Sequence, residues 1–306
     1  KYFIQTLGCV MNYSDSERIA GFLEKYGLRK TSDINDATLV VFNTCGVRQM
    51  AEDRVYGQIH NLKLKAKSQK LKAIILTGCL AHRKDVQKRL QNKVDIFAKI
   101  NELPEILETL KMQSRLLADR KLKYEMTRFA EVSARRAIRN SSDKNNYSDY
   151  LSVMPKYNSR HTAYIPIMTG CNNFCSYCVV PYARGREISR PADGILKEVR
   201  TLIEKGYKEI VLLGQNVNSY HGTWNMEHGK KFINFPQLLK IINNTPGSFW
   251  ISFVSNHPKD FSDELINAMA KCEKLPKYLN LPIQAGCDKI LKKMNRPYSV
   301  RRYYDL

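Results

Sequence analysis

The stretch GCNNFCSYC at residues 170–178 does most to decide the fold of this sequence. It spaces Cys171, Cys175 and Cys178 as C-x3-C-x2-C, shortly after an apolar segment at residues 163–168. Three thiolates in so short a loop can hold one iron–sulfur cluster and leave its fourth iron open to another ligand. A zinc knuckle or a redox pair is the alternative, but the motif has three cysteines and no nearby histidine.

The first half of the sequence repeats a strand pattern that ends in a cysteine. Each pattern is followed by an amphipathic helix pattern, which predicts a doubly wound parallel sheet. Because the carboxyl ends of parallel strands meet at one edge of a sheet, the cysteines after them should converge. The strands are predicted at residues 2–6, 38–42 and 73–77, the helices at 16–26, 55–64 and 86–90, and the cysteines are Cys9, Cys45 and Cys79.

Such a convergence of thiols suits a soft metal, and three of them can hold an iron–sulfur cluster with one open iron. Simple packing of three small apolar cysteines is the plainer alternative. Zinc also stays possible, although no histidine or fourth cysteine in this half stands out as a closing ligand.

Length, composition and charge narrow the class of protein. The chain has 306 residues, enough for two domains, and 50 Lys and Arg against 29 Asp and Glu give a net charge of +21. That surplus predicts a polyanionic partner, either a nucleic acid or an anionic membrane surface. Hydrophobic residues make up 43% of the chain, which excludes wholesale disorder. No apolar run approaches the length of about 20 residues that crossing a bilayer requires, and no signal-peptide pattern is present, so we expect a cytoplasmic protein that makes no use of a membrane.

The sequence divides into three predicted parts. Residues 1–118 hold the strand–cysteine units, residues 119–156 form a basic polar linker or insertion, and residues 157–306 carry the second cysteine motif. The middle part contains the polar run NSSDKNNYSD at residues 140–149, which cannot bury much apolar surface. Strands of the last part are predicted at residues 163–168, 209–213, 249–253 and 278–283.

Longer motifs make the sequence resemble the radical S-adenosylmethionine (SAM) methylthiotransferases. The cluster loop, with Tyr177 before its last cysteine, resembles that of radical SAM enzymes in general. GCVMNYSDSE at residues 8–17, with NTC and TGC, is similar to the first domain of the methylthiotransferases, and GQNVNSY resembles their tRNA-modifying branch. Further stretches that carry the resemblance are VVPYARGREISRP (179–191), SNHPKDFSDELI (255–266) and LNLPIQAGCDKILKKMNRPY (279–298).

The resemblance implies a division of labour between the two cysteine triads. Cys171, Cys175 and Cys178 would hold a 4Fe-4S cluster that binds SAM and cleaves it to methionine and a 5′-deoxyadenosyl radical. The first triad would hold a second 4Fe-4S cluster that carries sulfur. The fold implied for residues 157–306 is an incomplete partial (β/α)6 barrel. Because the family has six barrel units and a small C-terminal RNA-binding domain, we expect the sequence to be a fragment.

The implied reaction is transfer of a methylthio group to C2 of N6-dimethylallyladenosine, next to the anticodon of tRNA. The implied partners are tRNA, an electron donor such as flavodoxin or ferredoxin, and a sulfur donor system. Two alternatives stay open. One is the same chemistry on threonylcarbamoyl-adenosine of tRNA or on a ribosomal protein aspartate, and the other is a non-catalytic iron–sulfur RNA-binding protein.

Polar residues that end predicted strands are further candidates for the site. Gln215 and Asn216 follow the strand at residues 209–213, at the carboxyl mouth where barrel active sites lie, and we predict that they are catalytic. Gln284 ends the last predicted strand in the same way, and we predict that it binds the cofactor, as Tyr177 would beside the cluster.

Three arginines, Arg184, Arg186 and Arg190, follow the cluster motif. Their fork-shaped guanidinium groups suit phosphate or carboxylate, so we predict contacts with RNA or SAM, with ordinary surface arginines as the alternative.

The other reactive residues have plainer predicted roles. We predict that His257 is a hydrogen-bonded structural histidine, with a proton shuttle as the alternative. We predict that the two cysteines outside the triads, Cys272 and Cys287, serve in packing.

Overall fold

The structure, a computed structural model, describes residues 1–46, 49–65, 73–106, 150–151, 153–226 and 229–306, with Lys65 and Met226 described by their backbone alone. The chain forms two compact units, Lys1–Lys156 and Tyr157–Leu306. Most of the predicted linker, including its polar run at residues 140–149, lies outside the described residues.

The first unit is built on a parallel sheet, as the alternation of strand and helix patterns predicts. All three predicted strands form, each shifted by no more than a residue or two, and a short fourth strand extends the sheet on the far side of the third. The strands are β1 (Tyr2–Leu7), β2 (Leu39–Thr44), β3 (Ala73–Gly78) and β4 (Ile96–Phe97), and the helices are α1 (Val10–Lys25), α2 (Gln49–Lys65) and α3 (Lys84–Leu90).

The sheet is doubly wound, because its helices cover both faces. Ile19 and Leu23 of α1 pack with Val41 in one apolar cluster, whereas Val55 of α2 packs with Phe42 in another. Neighbouring side chains of a strand point to opposite faces, so α1 and α2 lie on opposite sides of β2.

A single bridge outside β1 explains how the chain changes face. The Tyr2 amide donates to Arg29 O at 2.9 Å and the Thr31 amide donates to Tyr2 O at 2.9 Å, which places Lys30 beside β1. After α1 the chain therefore runs along one edge of β1, and it then crosses over to β2, which pairs with the opposite edge of β1. The topological switch point lies between β1 and β2, the place where doubly wound sheets bind ligands.

The second unit holds a three-stranded parallel sheet, a short antiparallel pair and a hairpin. In the three-stranded sheet, the strand Glu209–Leu213 lies between Trp250–Phe253 and Thr162–Pro166. Its strands are β5 (Thr162–Pro166), β6 (Met168–Thr169), β7 (Ile188–Ser189), β8 (Glu209–Leu213), β9 (His221–Met226), β10 (Gly229–Asn234) and β11 (Trp250–Phe253). Its helices are α4 (Val180–Arg184), α5 (Ala192–Glu204), α6 (Phe235–Asn243), α7 (Asp263–Lys271), α8 (Asp288–Lys293) and α9 (Val300–Asp305).

The strand predicted at residues 163–168 is divided in two. β5 ends at Pro166, and the residues after it form β6, which pairs antiparallel with β7. Pro166 is tolerated because it is the last residue of β5, which lies at one edge of the three-stranded sheet.

The strand predicted at residues 278–283 is not formed, and side chains explain why. The backbone oxygen of Leu281 accepts a hydrogen bond from Tyr303 Oη at 2.5 Å, and that of Ile283 accepts one from Tyr298 Oη at 2.7 Å. These bonds occupy acceptors that a strand ladder would use. Leu281 still packs against the apolar core, which accounts for the strand-like pattern of the sequence.

Within the described ranges, no helix combines the length and the apolar character that crossing a lipid bilayer requires.

Candidate functional site

The first cysteine triad lies at the carboxyl edge of the first unit's sheet. The Cys45 amide donates to Leu7 O at 2.8 Å, and the Cys79 amide donates to Thr44 O at 2.9 Å. Both cysteines therefore continue the parallel ladder by one residue, and Cys9 follows β1 as the residue that caps α1. The structure brings all three to the same sheet edge, at and beside the switch point.

Two glycines allow the cysteine loops to approach one another closely. A Cβ atom added to Gly8 would lie 3.1 Å from Cys45 Cβ, and one added to Gly46 would lie 3.3 Å from Cys79 Cβ and 2.9 Å from Cys79 O. The loop that carries Cys9 is thus in contact with the loop that carries Cys45, and the Cys45 loop is in contact with the loop that carries Cys79. Larger residues at either glycine would push the cysteines apart.

A buried amide network fixes the position of Cys9. Asn12 Oδ1 accepts from the Cys9 amide at 3.2 Å and lies 3.4 Å from Cys9 Sγ. Asn12 Nδ2 donates to Asn43 Oδ1 at 2.9 Å, and Asn43 Nδ2 donates to Ser16 Oγ at 3.0 Å and to Asn12 O at 2.8 Å. This network is not among the predicted site residues, although the asparagine that follows the apolar run VVF at residues 40–42 is a signal for it.

The donor set of the first triad fits an iron–sulfur cluster. It consists of three thiols, of which Cys45 and Cys79 are buried and Cys9 is exposed at the N-terminus of α1. No group of three or more His, Cys, Asp or Glu in the described ranges surrounds the position of a single metal ion. Cysteines that bind a cluster need no such position, because each of them binds a different iron atom.

The second triad lies on a loop that begins at the end of β6. Gly170 has φ +76°, and a Cβ atom there would lie 2.0 Å from Arg186 O, so the close turn into Cys171 requires glycine. The Cys171 amide donates to Gly185 O at 3.2 Å. Cys171 is 8% exposed, and burial raises the pKa of its thiol.

The backbone of this loop is held by the segment that follows α8. The Ser176 amide donates to Met294 O at 3.1 Å, and Ser176 Oγ donates to Lys293 O at 3.0 Å. Asn295 Nδ2 donates to Phe174 O at 2.8 Å. These contacts join residues far apart in the sequence and hold Cys175 and its neighbours against one rigid support.

Arg296 connects that support directly to the triad. Its Nη1 donates to Cys175 Sγ at 3.5 Å and to Tyr177 Oη at 3.4 Å, and its guanidinium lies over the Tyr298 ring at 5.2 Å. Burial opposes its positive charge, but the hydrogen bonds to Cys175 and Tyr298 outweigh burial and raise the pKa of Arg296. Arg296 stands in a motif that carries the family resemblance, yet nothing in the motif indicates the cysteine contact.

Gln215 and Asn216 lie at the carboxyl end of β8, where the sequence places them. Asn216 is 1% exposed, and its Nδ2 donates to Asp260 Oδ2 at 2.7 Å. The loop after β8 contacts the loop after β11, since the Val217 amide donates to Ser255 O at 3.3 Å.

Several buried polar atoms at these strand ends have no hydrogen-bond partner in the part of the chain that the structure describes. Native proteins rarely leave such atoms unpaired, so each calls for a partner of another kind. A ligand rich in polar groups, such as SAM, fits this requirement. The atoms are Thr169 Oγ1 at the end of β6, Gln215 Oε1 and Asn216 Oδ1 after β8, and Asn256 Oδ1 and His257 Nε2 after β11.

His257 has the geometry of a structural residue. Its backbone amide donates to Asn218 Oδ1 at 3.0 Å, and its Nδ1 accepts from the Lys259 amide at 3.1 Å. Burial, together with the nearby charges of Arg296 and Lys259, lowers the pKa of His257 to about 3. The imidazole is therefore neutral at physiological pH.

Glu187 belongs to this site but is not among the residues predicted from the sequence. Its Oε2 accepts from Ser219 Oγ at 2.7 Å, and its amide donates to Asn172 Oδ1 of the cluster loop at 3.3 Å. Burial raises the pKa of Glu187. The sequence signal was available, because an acidic residue stands alone among the arginines of GREISR.

The three predicted RNA-binding arginines have different environments. Arg190 is committed to the fold of its own unit, since it donates to Pro166 O at 2.7 Å and to Glu198 Oε2 at 2.8 Å. Arg184 is buried, whereas Arg186 is exposed and lies over the Phe174 ring at 4.5 Å. Of the three, Arg186 has the exposure that contact with RNA requires.

The remaining predicted residues are also placed by the structure. Gln284 is exposed and has φ +69°, a conformation unusual for a residue other than glycine. Tyr177 is 48% exposed beside Cys175. Cys272 is buried in the core, as predicted for a packing residue. The same prediction is wrong for Cys287, which is exposed at the N-cap position of α8.

Two family models match the chain. "Uncharacterized protein family UPF0004" matches residues 1–99, and "Radical SAM superfamily" matches residues 165–306. Each match covers one of the cysteine triads.

Curated relatives align with the whole chain. A protein of Clostridium botulinum (strain Hall), named tRNA-2-methylthio-N(6)-dimethylallyladenosine synthase, is 38% identical over 316 residues, which cover 100% of this chain and 63% of the relative. Proteins of the same name from Clostridium novyi (strain NT) and Thermoanaerobacter sp. (strain X514) are each 41% identical over 313 residues. The chain spans 60% to 63% of the length of these three relatives.

Solved structures share the fold at low sequence identity. The cobalamin-dependent SAM radical enzyme OxsB is 12% identical with a TM-score of 0.58, covering 98% of this chain and 46% of its own. The radical SAM methyltransferase TsrM from Kitasatospora setae is 12% identical with a TM-score of 0.56, covering 100% of this chain and 64% of its own. A UPF0004 segment at residues 1–99 is thus followed in this chain by a Radical SAM segment at residues 165–306.

Proposed function

We propose that this protein is an enzyme that transfers a methylthio group to C2 of N6-dimethylallyladenosine, next to the anticodon of tRNA. It uses SAM and two 4Fe-4S clusters, one at each cysteine triad. The observation that carries the proposal is the pair of triads, each at a carboxyl strand edge of its own unit, in a chain that aligns along its full length with relatives named for this product. A flavodoxin or ferredoxin and a sulfur donor system complete the reaction in the cytoplasm.

In this proposal Cys171, Cys175 and Cys178 hold one cluster, and Cys9, Cys45 and Cys79 hold the other. Together with SAM, the cluster bound by Cys171, Cys175 and Cys178 would supply the one-electron chemistry that ordinary acid and base side chains cannot provide at an unactivated aromatic carbon. The protein provides ligands, orientation and exclusion of water.

Buried amides bind and orient SAM in the second unit. Gln215, Asn216 and Asn256 each present a buried oxygen that lacks a partner in the described structure, and these oxygens suit N–H and O–H donors. Asn216 keeps one orientation because its Nδ2 is held by Asp260. Removing any of these amides should therefore weaken SAM binding before it affects the cluster.

The protein also limits where protons can move. His257 is buried and neutral, so it does not supply a proton at physiological pH. Glu187, whose pKa is raised by burial, is the carboxyl group next to the cluster loop that is best suited to hold one.

Arg186 gives this unit a contact surface for RNA. Its exposed guanidinium stacks on Phe174, whose ring meets that of the exposed Tyr182 edge to face at 6.0 Å. Arginine and aromatic side chains in contact form the kind of platform on which single-stranded bases stack. The net charge of +21 adds attraction for the phosphate backbone.

Mass spectrometry of tRNA nucleosides tests the substrate. Cells that lack this protein should lose the 2-methylthio group from prenylated adenosine, and the wild-type gene should restore it while Cys171→Ala should not. Unchanged 2-methylthio-prenyl-adenosine in cells without the protein would exclude this substrate. Loss of the methylthio group from threonylcarbamoyl-adenosine or a ribosomal aspartate instead would assign the same chemistry to another substrate.

A separate assay tests whether the protein is an enzyme at all. The reduced, iron-loaded protein should cleave SAM to 5′-deoxyadenosine, and Cys171→Ala should abolish this product. If the loaded protein binds tRNA but forms no 5′-deoxyadenosine, it is a non-catalytic iron–sulfur RNA-binding protein.

A further inference from the structure

We propose that Arg296 sets the reduction potential of the cluster held by Cys171, Cys175 and Cys178, by donating a charged hydrogen bond to the sulfur of Cys175. The inference rests on the proposed function in one respect, that this triad binds a cluster. It adds a residue that tunes the cluster without being one of its ligands.

Arg296 contacts Cys175 at hydrogen-bonding distance and is itself shielded from water. Arg296 Nη1 lies 3.5 Å from Cys175 Sγ, and Arg296 is 7% exposed. Inside a protein, where the effective dielectric constant is low, such a charge acts on its neighbours more strongly than it would in water.

The guanidinium is held in place from several sides. Its Nε donates to Tyr298 Oη at 3.3 Å, and that hydroxyl in turn donates to Ile283 O at 2.7 Å. The Arg296 amide donates to Leu291 O at 2.9 Å, which attaches the residue to α8. Arg296 therefore keeps its position when the charge of its surroundings changes, as a residue that tunes a redox centre must.

One atom of Arg296 points independently to an anionic partner. Its Nη2 is buried and has no hydrogen-bond partner within the described ranges. Leaving a buried charged donor without an acceptor costs more than a neutral hydrogen bond contributes. A negatively charged sulfur-rich group at the triad would provide both the acceptor and the charge that Arg296 lacks.

The direction of the effect follows from charge. Reduction by one electron from a flavodoxin or ferredoxin makes the cluster more negative, so a fixed cation stabilises the reduced state more than the oxidised state. Hydrogen bonds to cysteine sulfur act in the same direction. Arg296 should therefore raise the potential and make the cluster easier to reduce.

The experiment is a potentiometric titration of the second cluster alone. In the purified protein, Cys9, Cys45 and Cys79 are replaced by alanine so that one cluster is observed, and its reduction is followed by electron paramagnetic resonance. Arg296→Gln removes the positive charge, and Arg296→Lys keeps the charge but lacks the guanidinium group. Arg302→Gln is the matched control. Arg302 is exposed and donates to Phe261 O at 3.2 Å, so the control removes one arginine charge from the same unit.

In Arg296→Gln the ratio of reduced to oxidised cluster at a fixed potential should fall about tenfold, which for one electron is a 59 mV decrease of the midpoint. Arg296→Lys should give a smaller decrease, and Arg302→Gln should leave the midpoint where it is. Tyr298→Phe, which removes one support of the guanidinium, should lower the midpoint slightly and gives a measurement even if Arg296→Gln fails to fold.

Two negative results have different meanings. If the variants of Arg296 bind less iron but the bound cluster keeps the parent midpoint, Arg296 is only a structural support and the inference is wrong. If the parent protein binds no iron at the second triad, the proposed function fails, and the inference fails with it.

Discussion

Replacing Asn43 by leucine should destabilise the first unit and release the cluster from the first triad. Asn43 is 0% exposed, and its amide makes three hydrogen bonds, two with Asn12 and one with Ser16. The substitution leaves Asn12 Nδ2 buried without an acceptor, which costs about 1–3 kcal/mol, and each of the other bonds contributes about 1 kcal/mol. The more apolar side chain offsets about 1 kcal/mol of this loss. We expect a net decrease of about 3 kcal/mol in the free energy of unfolding.

The consequence for the site follows from Asn12, whose side chain accepts from the Cys9 amide. With Asn43 gone, Asn12 keeps its bond with the Cys9 amide but loses its hydrogen bonds to β2, so the position of Cys9 relative to the sheet is no longer fixed. Thermal denaturation should show a decrease of about 6–12 °C in Tm for a unit of this size. Iron bound at the first triad should fall, while iron at the second triad should be unaffected.

Asn61→Leu provides the matched control, because Asn61 is exposed on α2 and the same substitution there should change stability by less than about 0.5 kcal/mol. If Asn43→Leu changes Tm no more than Asn61→Leu does, the amide network contributes no stability. If Tm falls but iron binding at the first triad stays at the parent level, the network supports the fold without positioning Cys9.

Three further predictions test other parts of the structure. His257, whose pKa is lowered to about 3 from an ordinary value of 6.5, resists protonation in the folded protein, so folding stability should be lost as pH falls from about 6.5 toward 3. Denaturation curves of the wild type and His257→Gln across that range should therefore converge as pH decreases, and parallel curves would contradict the assignment. Arg190→Leu should cost about 3 kcal/mol of stability, because it leaves Glu198 as a buried charge without this partner, and its RNA affinity per folded molecule should not change. Arg186→Gln should do the opposite, keeping the Tm and reducing the salt dependence of RNA binding by about one counterion, and equal salt slopes for the two variants would refute the contrast.

The doubly wound sheet could be predicted because its signals are local. Each strand of the first unit is a short apolar run, and each helix pattern begins a few residues after it. The switch point could not be predicted, because the chain marks it with a single bridge at Lys30, which is too short to produce a strand pattern. The absent strand at residues 278–283 shows the limit of the same reasoning, since an extended apolar segment can bond to side chains instead of a strand.

The site residues divide in a similar way. Cysteines were identifiable from their spacing and their positions after strands, which are properties of short segments. Arg296 and Cys175 are 121 residues apart in the sequence, so only the folded chain shows their contact. Asn12 and Asn43 are 31 residues apart and meet for the same reason, on a helix and a strand that pack together. Arg190 looked like its exposed neighbour Arg186 in the sequence, and only its bonds to Pro166 O and Glu198 distinguish the two.

The most direct test of the central claim is the number of iron and acid-labile sulfide atoms bound per chain after anaerobic reconstitution. The parent protein should bind about eight of each, and two triple variants, one without Cys9, Cys45 and Cys79 and the other without Cys171, Cys175 and Cys178, should each bind about four. A parent value that stays near four, or a triple variant that binds as much iron as the parent, would contradict the assignment of one 4Fe-4S cluster to each triad.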